Sequence, residues 1–393
     1  MIWYALIIPI LTALVGWVLF RNKIVWWEVL LPLGISLLAI VISYYTMKST
    51  TLSDVEYNGY LITEAKYYEP YETWVKKTCS EQYACGTYTT GSGTSRTTHT
   101  RYCTRYYDCS YCDDYSARYT MTDTKGNEIT ITKEKYEYLI KQWSATPQFV
   151  ELNRSINYHW GCGKDGDMYS IKWDKNPLTS ETTTYEVGFT NILKCNHSAF
   201  NYPVIEEEGA RQAGLYEYPK VIWDNYQPSV LGLDSINYKD KYGLLKRLDF
   251  LNGAFGAQYK VKVFTLFFRN KDVQTSFLQE AYWDGGNQNE IIVCIGVDDG
   301  GNFTWVRPFS WCDNKLVVID IREDLMESND KSPEFIFNTY INTIKKNWHY
   351  KSFKDFNYLS FEPTTGQLTF VYILTLLISV GCVWWAVKNE FEH

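Results

Sequence analysis

The sequence predicts a membrane-anchored α+β protein, and three observations carry that prediction. Three apolar runs at 2–20, 24–47 and 368–387 each reach the ~20 residues that a helix needs to cross a bilayer core. Five cysteines crowd into one polar, tyrosine-rich stretch after the second run. From about residue 242, apolar segments of strand and helix length alternate, the order of a sheet with helices packed on it. The chain therefore divides into a transmembrane hairpin (1–47), a Cys- and Tyr-rich section (48–123), a mixed strand and helix section (124–241), an α/β section (242–367), and a last span with a short tail (368–393).

A bilayer offers the backbone no hydrogen-bonding partners, so apolar runs of this length are read as helices, with Pro9 and Pro32 as points of kinking. Amphipathic rings mark the run ends as interfacial belts: Trp3, Tyr4 and Trp17 for the first run, Trp26, Trp27, Tyr44 and Tyr45 for the second, Tyr372, Trp384 and Trp385 for the third. The tight loop holding Arg21 and Lys23 belongs in the cytoplasm under the positive-inside bias, which places residues 48–367 outside. A cleaved signal peptide would need a positive leader and a small-residue cleavage site, and a second span follows the first at once. Glu28 is the single charged side chain within the runs, so anchoring is a better reading of them than transport.

An extracytoplasmic address sets how the cysteines are read. Cys79, Cys85, Cys103, Cys109 and Cys112, with Cys162 and Cys195 after them, suit a disulfide staple for a loop-rich region. Zinc is the competing reading, since Cys109-x-x-Cys112 with Cys79, Cys85, Cys103 or His99 offers four tetrahedral ligands. A single closely spaced pair is fewer than a zinc knuckle framework uses, and a cytosolic address would favour the metal. With Cys294 and Cys312 the block holds nine cysteines, an odd count that leaves at least one thiol over, and Cys294 in an apolar run suits an inert buried residue.

Outside the spans and tail stand 35 basic and 42 acidic residues. That mild acidity, without a basic stripe, disfavours nucleic acid as a partner. Aromatic rings at 57–71 and 102–119 suit contacts with a protein or a glycan, or equally the packing of a small core. Sequons at Asn153, Asn196 and Asn302 match the glycan acceptor pattern.

Within the block, the glycine- and serine-rich stretch 89–98 reads as a flexible tip. A strand is expected at 128–132, then Thr132 as the cap of a helix over 133–143, in which Tyr136, Leu139, Ile140 and Trp143 recur at helical spacing. Strands follow at 168–173 and 183–190, the second with Tyr185, Val187 and Phe189 on one face. The last section predicts helix 244–255, strand 260–268, helix 271–283, strands 290–297, 303–307 and 315–321, and a helix at 333–348 with proline in its first turn.

The segments Gly256-Ala257-Gln258, 261–268, 279–286 and Asn289-Glu290-Ile291-Ile292-Val293 resemble the TPM domain family over about 244–350. The resemblance implies a fold of helix, turn and apolar strand at a bacterial envelope or thylakoid lumen. Some members are described as acid phosphatases and others as assembly or repair factors. In this chain Arg307-Pro308-Phe309-Ser310-Trp311-Cys312 replaces the glycine-rich segment that normally follows the third strand.

Chemistry is sparser. Asp298 and Asp299, at a strand end before Gly300-Gly301, could hold a divalent cation with Asp284 joining them, although Asp-Gly is also the favoured pair of a hairpin turn. Residues 163–167 have the look of a calcium loop without its later bidentate Glu. His159, His197 and His349 are isolated, and no nucleophile elbow, phosphate loop or zincin helix is present. Two functions follow: an anchored binding or assembly protein whose Cys- and Tyr-rich section meets its partner, or a TPM-like phosphoester hydrolase using a divalent metal at Asp298 and Asp299.

Overall fold

A computed structural model describes residues 2–21, 25, 28, 30–150, 162, 164, 166–196 and 202–389. Three helical segments, Ile2–Leu19, Leu30–Leu52 and Thr365–Lys388, are long and apolar enough to cross a membrane. The first is a 3-10 turn leading into α1 (Ile7–Leu19) and the second is α2 (Leu30–Leu52). α2 starts later than the apolar run does, because Val25 and Glu28 lie outside it, the Glu28 carboxylate accepting the Val25 N–H at 2.8 Å. Pro32 consequently falls in the first turn of α2, where a missing N–H removes no helical bond, whereas Pro9 lies where the 3-10 turn passes into α1. The C-terminal helix (Thr365–Asn389) packs on both. Gly16 admits it closely, since a Cβ there would lie 2.8 Å from Val383, and Ser36 and Ser379 share a hydroxyl hydrogen bond of 3.2 Å.

α2 runs directly into β1 (Ser53–Tyr68), the spine of the first sheet. A ribbon of four strands leaves the sheet after β1: β2 (Tyr71–Val75), β3 (Thr78–Thr90), β4 (Thr97–Asp108) and β5 (Tyr111–Tyr115), with β2 paired to β5 and β3 to β4. The chain returns through β6 (Arg118–Asp123), β7 (Glu128–Ile131), α3 (Lys133–Gln142), β8 (Gln148–Val150), β9 (Met168–Lys172) and β10 (Thr182–Thr190). This antiparallel sheet has the order β7-β6-β1-β9-β8, with β10 on the first half of β1. As the spacing predicts, Thr132 caps α3 by accepting the Lys135 N–H, and Tyr136, Leu139 and Trp143 bury against Ile62, Ala65, Met121 and Ile171.

The second sheet follows α4 (Glu207–Ala213) and comprises β11 (Val230–Leu231), β12 (Lys262–Arg269), β13 (Glu290–Val297) and β14 (Phe303–Ser310), in that order, the first three parallel. Its helices are α5 (Lys241–Tyr259), α6 (Gln274–Tyr282), α7 (Leu316–Glu327) and α8 (Pro333–Asn347). Parallel strands covered on both faces read as unbroken apolar runs. Accordingly, Val263, Phe267, Ile291, Val293 and Ile295 pack under α5, α7 and α8, while Phe264, Leu266, Phe268, Ile292 and Cys294 pack with Trp283 on the other face.

Two expectations are corrected here. Residues 315–321 form the start of α7, not a strand. Val317, Ile321 and Leu325, at a spacing of four, supply the buried stripe, and the Asn314 side chain accepts the Leu316 N–H; burial overrides the strand preference of a β-branched run. In β10 the alternation fails, because Thr183 and Thr184 are buried where the strand meets the second half of the body, while Val187 is exposed. The sections 48–123, 124–241 and 242–367 meet at β1. β1 pairs with β6, β9 and β10, and its Gly59 lies so close to α5 that a Cβ would sit 2.4 Å from the Asn252 carbonyl oxygen.

Candidate functional site

Two features differ from a plain packed body: the ribbon, and a cleft beside the apolar helices. In the ribbon, Cys79 joins Cys109, Cys85 joins Cys103 and Cys112 joins Cys162. Cys109 and Cys112 thus go to different partners, which dissolves the zinc knuckle that their spacing offered. Glu72, Cys112 and Cys162 cluster at metal-ligand distances, but the two sulfurs are consumed by their mutual bond. The Cys195 side chain lies outside the described residues. Cys294 and Cys312 are buried free thiols, and burial pushes the Cys294 thiol well up, leaving it inert.

The ribbon has no hydrophobic core. Tyr83, Tyr88, Tyr102, Tyr106, Tyr107, Tyr111 and Tyr115 are all exposed, Tyr106 at 72%. A two-stranded hairpin is marginal in water, so two disulfides across β3–β4 and one at the root replace the missing core. The root is tied further by Lys164, which pairs with Glu72 at 3.0 Å and Asp114 at 3.1 Å.

The cleft encloses about 820 Å³ between the start of β1, the turn Ile192–Cys195 and the loop after α6, with Thr51 of α2 on its rim. Tyr57, Tyr218, Trp283, Trp311 and Phe353 form its walls. Asp54 is paired with Lys194 at 2.8 Å and accepts from the Asn191 amide at 2.7 Å. Beneath the wall, fully buried Glu290 accepts from Tyr218 Oη, the Asn287 N–H and the Asn287 amide. Burial raises the Glu290 carboxyl above its usual range, and burial also pushes the Tyr57 phenol to about 12.

Asp284 opens into this cleft, not onto a metal site with Asp298 and Asp299. It leads the turn Asp284-Gly285-Gly286, three consecutive residues with positive φ, and a Cβ on Gly285 would lie 2.7 Å from Tyr202 Oη. Burial raises its carboxyl, opposed by nearby Lys194 and supported by Asp54. The whole of β13 separates it from Asp298, a span of about 25 Å. Asp298 and Asp299 themselves build the β13–β14 turn. Asp298 accepts the Asn302 N–H at 2.8 Å and its amide at 3.0 Å, and Asp299 accepts Arg269 at 2.8 and 2.9 Å and the Asn270 amide at 2.8 Å. These donors lower both carboxyls and engage both oxygens of Asp298 and Oδ1 of Asp299. Residues 163 and 165 of the glycine and aspartate loop, and also Asn153, His159, His197 and Lys23, lie outside the described residues. Arg21 is described, at the end of α1 over Trp17; Lys388 sits similarly over Trp384 at the matching end of the C-terminal helix.

Sequence reasoning missed the Asp54–Lys194 pair, which needs β1 and the turn after β10 to meet. It also missed how charge is distributed within the ribbon, whose five basic and five acidic residues over 71–115 balance. The acids Glu72, Asp108, Asp113 and Asp114 lie toward its root, while Arg96, Arg101 and Arg105 lie toward its outer part with Glu81. No family model, curated protein or solved structure matches the chain.

Proposed function

We propose that this chain is a membrane-anchored extracytoplasmic binding or assembly protein whose stapled ribbon meets its partner. The observation that carries this reading is the ribbon itself: seven exposed tyrosines on strands without a core, held in shape by disulfides. Rigid, amphipathic rings supply contact area at low entropic cost, and a pre-ordered ribbon avoids the ordering penalty that a flexible loop would add on binding. Three disulfides suit an oxidising compartment. Ile2 and Ala5 cluster with Met47, Leu368 and Val371 at the body end of the helices, which leaves Arg21 and Lys388 at the far end. That distribution agrees with a cytoplasmic far end and an outside body.

The TPM-like reading of about 244–350 remains a proposal about fold, supported by the order β12, α6, turn, β13. Its hydrolase form draws no support from Asp298 and Asp299, which hold the β13–β14 turn and the Arg269 pair.

The test places a photo-crosslinking residue at Tyr106 on the ribbon, or at Tyr242 on the body as a control, in intact cells. A discrete adduct from position 106 alone is the expected result. Adducts from neither position, or equally from both, overturn the ribbon as the binding surface. A membrane-impermeant thiol label that reaches Cys79 and Cys85 of intact cells only after reduction checks the address.

A further inference from the structure

We propose that one face of the ribbon binds an acidic polysaccharide, a chain of sugar rings carrying repeated carboxylates; this rests on the ribbon being the binding surface. Directly paired residues of an antiparallel ladder share a face. The pairs Tyr88 with His99, Gly86 with Arg101, Tyr83 with Cys103 and Glu81 with Arg105 therefore gather both arginines, a histidine and two tyrosines on one side. The opposite side holds Ser80, Gln82, Thr87, Thr98, Thr100 and Thr104 along with Tyr102 and Tyr106.

The chemistry of the first face selects the ligand. Arg101 stands across from Gly86, which has no side chain to cover it, and forms no ion pair among the described residues. Arg105 pairs with Glu81 at 2.7 Å, but both are open to solvent, and an exposed pair of this kind is weak enough to exchange for a ligand carboxylate. Guanidinium groups match carboxylates with two parallel hydrogen bonds. Tyr83 and Tyr88 present amphipathic rings for the faces of sugars, and Tyr88 is stacked on His99 with centroids 5.3 Å apart.

The two arginines are four positions apart on one strand, about 14 Å, so a polymer engages both and a single sugar does not. On this face Arg101 and Arg105 stand with one acid, Glu81, which makes it locally basic in a chain of net charge −7 and so complementary to a polyanion. The tip is Gly91, Ser92, Gly93, Thr94, Ser95 and Arg96, without an apolar residue to enter a bilayer, which disfavours an anionic membrane as the occupant.

The experiment uses the full chain in nanodiscs of neutral lipid and size-selected oligogalacturonate as probe. Dextran and polyglutamate of matched length, and anionic vesicles, serve as comparisons. Saturable binding to oligogalacturonate is expected, weakened on raising salt, with at least tenfold weaker binding to the other three. R101Q/R105Q should weaken binding at least tenfold, whereas K141Q on α3 leaves it unchanged. Non-reducing peptide mapping of the Cys85–Cys103 bond certifies the double variant, and Y83A gives an independent loss on the same face. Absence of saturable binding, indifference to both variants, or equal binding to polyglutamate or vesicles overturns the proposal. If that happens while Tyr106 still crosslinks a partner, the ribbon remains the binding surface with another ligand; loss of both signals removes the two readings together.

Discussion

The α/β body and the ribbon solve the same problem by opposite means. In the body, β12 and β13 are buried on both faces, and side chains such as Phe264, Phe267, Ile291 and Ile295 have no solvent exposure at all. In the ribbon, nearly every residue of β3 and β4 is exposed, and covalent bonds between Cys79 and Cys109 and between Cys85 and Cys103 do what burial does elsewhere. The difference teaches where each region keeps its specificity. The body buries its apolar side chains to fold, whereas the ribbon, held by cysteines, leaves its tyrosines and arginines exposed.

The largest effect that tests this contrast is expected in the body. Phe264→Ala removes a ring packed against Tyr218 and Trp283 and should cost about 3–5 kcal/mol. Denaturant unfolding would measure it, with Cys85–Cys103 still formed. A loss under about 1 kcal/mol would mean that the site collapses freely, contrary to close packing.

Cys85→Ser with Cys103→Ser is the mirror experiment. Opening this loop should cost about 3 kcal/mol on the chain-entropy account, expressed as faster amide exchange in β3 and β4. If exchange in β12 and β13 quickened equally, the two regions would not be separately held.

A third prediction concerns pH. Desolvation raises buried Asp249 to about 6 from 3.8, despite attraction from Lys246 and Lys262. Tyr226 and Ser229 hydroxyls face it at 3.2 and 3.3 Å. Between these values the folded state holds a proton that the unfolded state has lost, so stability falls as pH rises from about 4 to about 6, by at most about 1.4 kcal/mol per unit. The Asp249→Asn variant should flatten this slope in melting temperature while ribbon exchange keeps its own pH dependence. An unchanged slope would assign it to another group.

The smallest effect belongs to the ribbon surface. Tyr102→Ala, 65% exposed, should change stability by no more than about 0.5 kcal/mol. A larger loss by the same denaturant assay would show that the tyrosines pack into a core after all.

Much of this was legible along the chain. Thr132 and Pro333 mark helix starts because capping and the first turn depend only on neighbours. The apolar runs at 262–269 and 290–297 announce doubly covered strands for the same local reason. Residues 316–321 misled because a β-branched run suits either period, and only the sheet beneath Val317 and Ile321 selects the helix. Asp284 was found by its turn signature, yet its neighbours could not be: it meets Asp54 and Lys194, more than 80 residues away in sequence, instead of Asp298.

By itself the sequence determined three membrane-length apolar helices, a stretch rich in cysteine and tyrosine, and the periodicity of most body elements, all properties of residues close together in the chain. Tertiary structure alone decided which cysteines join, that β1 binds both halves of the body through Gly59, and that the candidate carboxylates divide between a turn and a cleft. Those outcomes depend on long-range closure, where backbone spacing and packing choose among partners that composition leaves equivalent.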